Sequence, residues 1–165
     1  MTHRPRLALA ALLLLLPLAP ATGADPALPA APPPATPPPS TLPASRAEAG
    51  PWTIALEQAG PLRPGVAAVA TIRLAARDGH HVNLEYPAAF KPDPQATAGF
   101  SGPRVALAVT ARRPCAGRPE ETCDLEWALP FTPGPPPVRL SGTVLFSVCT
   151  AERCLIERVA LGLGR

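Results

Sequence analysis

From Pro51 onward the chain alternates short apolar runs with proline and glycine clusters. Between Val66 and Leu74 the residues Ala68, Ala70, Ile72 and Leu74 share one parity, and Leu140, Gly142, Val144, Phe146 and Val148 repeat the alternation. A period of two sends successive side chains to opposite faces, so each run reads as a strand with one buried face. No stretch of helical length keeps a helical period free of Pro and Gly. The pattern predicts strands over Trp52–Gln58, Val66–Ala76, His81–Glu85, Val105–Ala111, Asp124–Leu129, Val138–Val148 and Leu155–Leu163. About seven strands in about 115 residues match an immunoglobulin-like two-sheet sandwich; a small barrel is the alternative. The expected fold class is all-β, with the sandwich domain over 51–165.

The first 50 residues follow other rules. Thr2-His3-Arg4-Pro5-Arg6 is a short basic segment, and Leu7 to Leu18 is an apolar run. That run is too short to cross a hydrocarbon core of about 30 Å. Small residues follow, and Ala19-Pro20-Ala21 fits a signal-peptidase pattern, with a cut after Ala24 as the close second. Residues 1–24 are expected to be a cleavable signal peptide that sends the chain to the periplasm or outside the cell. No later segment is long and apolar enough to span a membrane, so none is expected in the mature chain. Residues 25–50 hold Ala30-Ala31-Pro32-Pro33-Pro34 and Thr36-Pro37-Pro38-Pro39. Such runs favour polyproline II, which buries nothing, so this stretch is expected to be a disordered linker.

Charge narrows the function. The net charge is +3, and Lys91 is the only lysine. Without Arg4 and Arg6 the 15 basic residues fall to 13 against 12 acidic, about +1. A nucleic-acid binder needs a dense cationic face, so none is expected as partner. There is no G-x-S-x-G elbow, P-loop or H-E-x-x-H, so neither an enzyme class nor a cofactor is implied.

All four cysteines, Cys115, Cys123, Cys149 and Cys154, lie in the domain. In an exported protein that is the arithmetic of two bridges. Three pairings exist, and local pairing is the simplest. Five extended steps from Cys149 to Cys154 would cover about 16–17 Å, whereas a disulfide needs Cα atoms about 4.4–6.8 Å apart. The chain must therefore reverse over Thr150–Arg153, as a hairpin loop between β-like flanks would do. A bridge at an exposed hairpin tip is either a static staple or a reversible redox pair. Cys115 and Cys123 bracket what reads as a polar loop and are expected to be a structural staple. His80 and His81 are candidate metal ligands, but neighbours on a strand point to opposite faces, and disulfides compete for the thiols. No metal is expected. Pro87 to Pro103 is the longest irregular stretch and holds Phe90 and Phe100, which are expected to fold back as a cap over a site or to plug the sandwich end.

Two segments together resemble a known family. Asp78-Gly79-His80-His81-Val82-Asn83-Leu84-Glu85-Tyr86-Pro87 and Phe146-Ser147-Val148-Cys149-x4-Cys154-Leu155 are similar to two strands of the periplasmic N-terminal domain of the thiol:disulfide interchange protein DsbD and its relatives. The resemblance spans roughly 65–165. It implies an immunoglobulin-like sandwich in which Cys149 and Cys154 cycle between dithiol and disulfide. The Phe90–Phe100 loop would shield them, with His80, His81 and Tyr86 beside the site. The implied partners are other periplasmic or secreted proteins, with a thioredoxin-like or membrane-bound electron donor. The alternative is a non-catalytic envelope module, structural or binding, with static disulfides.

Overall fold

Inward-facing alternation builds both sheets. The computed structural model describes residues 43–164. Along Ala68–Ala76 the residues Ala70, Ile72, Leu74 and Ala76 are buried while Val69 and Arg73 face solvent. Among the described residues ten strands form: β1 Arg46–Ala49, β2 Trp52–Glu57, β3 Ala68–Ala76, β4 His81–Val82, β5 Ala89–Pro92, β6 Val105–Ala106, β7 Ala108–Cys115, β8 Arg118–Phe131, β9 Arg139–Cys149 and β10 Cys154–Gly164. One sheet has the order β1-β2-β3-β8-β7; the other has β10-β9-β5-β6, with β4 pairing beside β9. Every pairing between these strands is antiparallel. The molecule is an all-β two-sheet sandwich, and no helix occurs among the described residues.

The core lies between the sheets. Ile54, Leu56, Ile72, Leu74, Leu125 and Leu129 face Phe90, Leu140, Val144, Phe146, Val148 and Leu161, all essentially sealed from water. Trp52 meets Phe146 edge-on, with centroids 5.3 Å apart and planes at 88°. Each such aliphatic or aromatic side chain contributes about 1.5–3 kcal/mol by leaving water.

The sandwich has ten strands where the sequence predicts about seven, for three physical reasons. First, the fold begins before Pro51. The segment 43–49 lies inside the stretch read as a linker, yet the carbonyl of Ala44 accepts from Gly162 N–H (3.1 Å) and that of Ser45 from Leu56 N–H (2.7 Å). These bonds tie β10 of one sheet to β2 of the other, and β1 follows as an edge strand. Its sequence, Arg-Ala-Glu-Ala, is mostly exposed and carries no apolar period. Second, β5 lies inside the stretch read as irregular. It pairs with β9 through Phe90 and Val144, so its neighbours bury it despite the flanking prolines. Third, the predicted strand Val105–Ala111 changes sheets: β6 pairs with β5, Leu107 N–H bonds the carbonyl of Ala88 (3.3 Å), and β7 then joins β8. The polar loop predicted between Cys115 and Cys123 shrinks to a two-residue turn, Ala116–Gly117. Gly117 has φ 74°, a conformation that glycine adopts without steric cost. The expected signal peptide, and the expected linker up to residue 42, lie outside the described residues.

Candidate functional site

β9 and β10 run in unbroken register from Arg139↔Gly164 to Cys149↔Cys154. Thr150 shapes the tip beyond them. Its N–H donates to the carbonyl of Arg153 (2.8 Å). Its hydroxyl donates to Glu152 Oε2 (2.9 Å) and accepts from the N–H groups of Glu152 and Arg153 (3.2 and 3.3 Å). The chain therefore reverses over Thr150–Arg153, and Cys149 and Cys154 are disulfide-bonded with Cα atoms 4.0 Å apart. That is closer than the about 4.5 Å usual for a non-hydrogen-bonded antiparallel pair and just below the usual disulfide range.

Parity decides where the bridge sits. Phe146 and Val148 point into the core, so Ser147 and Cys149 lie on the outer face of their sheet. Cys149 is nevertheless only 4% exposed, whereas Cys154 is open to solvent. The covering comes from β4 and the turn after it. His81 is the direct cross-strand partner of Cys149. Asn83 N–H donates to the carbonyl of Ser147 (3.0 Å), and Asn83 Nδ2 lies 4.0 Å from Cys154 Sγ. Asn83 Oδ1 accepts from Glu85 N–H (3.0 Å), a local turn that ends β4 at Val82 rather than at Glu85. Two large apolar side chains stay exposed nearby, Leu84 at 46% and Ile156 at 60%. Leu84 borders an open depression of about 490 Å³, lined also by His81, Asn83, Glu85, Glu120, Glu121, Thr150 and both cysteines.

The polar wall of this depression is tied together. Glu121 Oε2 pairs with Arg118 Nη1 and lies 3.3 Å from His81 Nδ1. Both Nδ1 and Oε2 are shut off from solvent, and neither makes a well-aligned hydrogen bond. Arg118 Nη1 also donates to the carbonyl of Gly79 (3.2 Å). The β7–β8 tip is thus fastened to the turn before β4.

Cys115 and Cys123 form the second disulfide, Cα atoms 4.7 Å apart. It spans an irregular stretch of the β7–β8 ladder, where Pro114 faces Thr122 while Cys115 already faces Arg118. Cys115 is buried, and Cys123 Sγ rests 3.6 Å from the carbonyl of His80. This bridge clamps two unequal strand lengths against the β3–β4 turn. Nothing about it is open to an incoming thiol on the Cys115 side.

Of the residues singled out from sequence, Cys149, Cys154 and His81 come together. His80 does not join them: its Nδ1 turns back to the carbonyl of Asp78 (3.1 Å). Tyr86 is half-buried and sits beyond the Leu84–Glu85 turn, outside the depression. Of the two expectations for Phe90 and Phe100, their placement fits the plug and not the cap. Phe90 is fully buried in β5, and Phe100 stacks on it (5.4 Å) and lies 6.5 Å from Phe131. Phe131 ends β8 at the opposite end from Cys123, so these rings close the far end of the sandwich and do not shield the Cys149–Cys154 bridge. Sequence reasoning missed Asn83 and Glu121 as site residues and Leu84 as its apolar rim, with Ile156 exposed next to them in β10. The only trace of them in the chain is local, since a Glu in a polar stretch and an Ile at an outward parity look like ordinary surface.

Among the described residues all four cysteines are disulfide-bonded, and no cluster of three His, Cys, Asp or Glu side chains is arranged to hold a metal ion. No protein-family model, no curated protein and no solved structure matches this chain.

Proposed function

We propose that this chain is an exported thiol–disulfide exchange domain of the DsbD N-terminal type, acting through Cys149 and Cys154 on other periplasmic or secreted proteins. The observation that carries the reading is the asymmetry of the bridge: one sulfur is open to solvent and the other is covered. Exchange requires an incoming thiolate to reach one sulfur while the other leaves. The open Cys154 is the sulfur attacked, forming a mixed disulfide, and Cys149 takes the electron pair of the broken S–S bond. A second thiol of the partner then releases Cys154, so two electrons and two protons enter the chain while the partner dithiol becomes a disulfide. Run in reverse, a reduced pair passes them on. Exposed Leu84 and Ile156 offer the apolar contact that a docking protein needs around the reacting sulfur.

Titration of the full chain in glutathione and dithiothreitol buffers, with alkylation and mass spectrometry, tests this. A Cys149–Cys154 midpoint above about −300 mV supports exchange; a lower one assigns the bridge to the structural class.

A static envelope module is the second reading. It is favoured by the closeness of the two bridges to paired strand ends, where each can act as a staple. Under it, Cys149→Ser releases no thiol that captures protein partners.

A further inference from the structure

Resting on the exchange reading, we infer that His81 is the proton donor to Cys149 when the bridge opens, with Glu121 as its positioning residue. Attack at Cys154 expels Cys149 as a thiolate at a position only 4% exposed. An anion there has little water to hydrate it, and a buried charge is costly unless it is paired or neutralised. His81 is the direct cross-strand partner of Cys149 on the same outer face. Opposed side chains in an antiparallel pair have Cβ atoms about 4.5–5.5 Å apart, within reach of an imidazole.

A carboxylate also faces the ring. Its Nδ1 faces Glu121 Oε2 at 3.3 Å, and that carboxylate is in turn gripped by Arg118. The two atoms are buried within ion-pair distance of each other without a well-aligned hydrogen bond, so Glu121 faces the ring as a charge. The side chain keeps 24% of its surface exposed, so the ring can be reprotonated from water. The charged groups facing it are Glu121 and Glu120 from β8, Arg118 behind Glu121, and Glu85 from the turn after β4. His80, the neighbouring imidazole, is engaged with its own turn and does not substitute.

The step balances. The partner thiolate forms a bond to Cys154 Sγ, the S–S bond breaks, and Cys149 Sγ keeps the electron pair. His81 imidazolium gives that sulfur a proton and is left neutral until water restores the proton. The competing view is that His81, Glu121 and Arg118 only fasten β4 to the β7–β8 tip.

The test follows reduction of the oxidised full chain by dithiothreitol, quenched by alkylation, from about pH 5.5 to about pH 8.5, the range in which an imidazole changes charge. Rates are divided by the thiolate fraction of dithiothreitol. The corrected rate should rise by about tenfold toward acid pH, a modest value for general acid catalysis because a thiolate already leaves well. His81→Ala and His81→Asn should flatten that rise, and added imidazole should restore it in His81→Ala. Glu121→Gln, which keeps the side-chain shape, should weaken it. A purely structural His81 predicts variants whose corrected profiles overlay the parent, with no rescue by imidazole; that result overturns the inference while leaving exchange intact. If His81→Ala does not fold, His81→Asn carries the comparison. A bridge that dithiothreitol cannot open in the folded chain overturns both the inference and the exchange reading.

Discussion

The ring of Phe90 occupies the space that a Cβ on Gly142 would fill, and the carbonyl of Lys91 closes the same gap. β5 can therefore lie flat across β9 only because position 142 lacks a side chain. Gly142→Ala should cost about 1–3 kcal/mol through overpacking against backbone that cannot move aside. Phe90→Ala, which empties a fully buried site, should cost about 3–5 kcal/mol. Urea unfolding should show both as a lower midpoint at unchanged slope. A Gly142→Ala protein as stable as the parent would contradict the packing of β5 on β9.

The unequal exposure of the two sulfurs sets an order of reactivity. In Cys149→Ser the remaining Cys154 thiol should react with iodoacetamide at least about tenfold faster than the Cys149 thiol left by Cys154→Ser, because access and thiolate character govern the rate. Equal rates would mean that β4 does not cover Cys149 in solution.

Both bridges close short loops, so neither should be essential for folding. Replacing Cys149 and Cys154 by Ala should lower stability by about 2 kcal/mol, and replacing Cys115 and Cys123 by about 2–3 kcal/mol. Each double variant should keep its β-sheet circular dichroism at room temperature. Loss of the fold in the first would make that bridge a structural necessity and count against exchange.

Leu84 and Ile156 are exposed beside the bridge, so changing them should alter contacts more than stability. Ile156→Lys should leave the unfolding free energy within about 0.5 kcal/mol, the usual range for surface positions. It should slow exchange with protein thiols while dithiothreitol reduces the pair at the parent rate. Equal slowing with both reagents would show that the change acts on the bridge itself.

On the outer face of the β1–β2–β3–β8–β7 sheet, Arg73 bridges Glu57 (3.4 Å) and Glu126 (3.2 Å) across three strands. All three side chains are substantially exposed, so Arg73→Ala should cost no more than about 1 kcal/mol, and the loss should shrink in molar salt. A larger, salt-independent loss would mean that the arginine stem packs on the sheet.

The sequence by itself determined the class of fold and the hairpin that carries the bridge. Alternation in Ala68–Ala76 and Leu140–Val148 is a local property, because side chains two apart on a strand share a face whatever surrounds them. The reversal at Thr150–Arg153 was legible for the same reason: two sulfurs five residues apart bond only if the chain turns back. Tertiary structure alone decided which strands pair. β1 gains its hydrogen bonds from β2, and β5 its burial and hydrogen bonds from β9, so Arg46–Ala49 and Ala89–Pro92 show no period of their own. It also carried Phe90 and Phe100 away from the cysteines and brought His81 and Glu121 to them. Those contacts join strands far apart in the chain, and neither a residue's type nor its spacing records which distant neighbour will cover it.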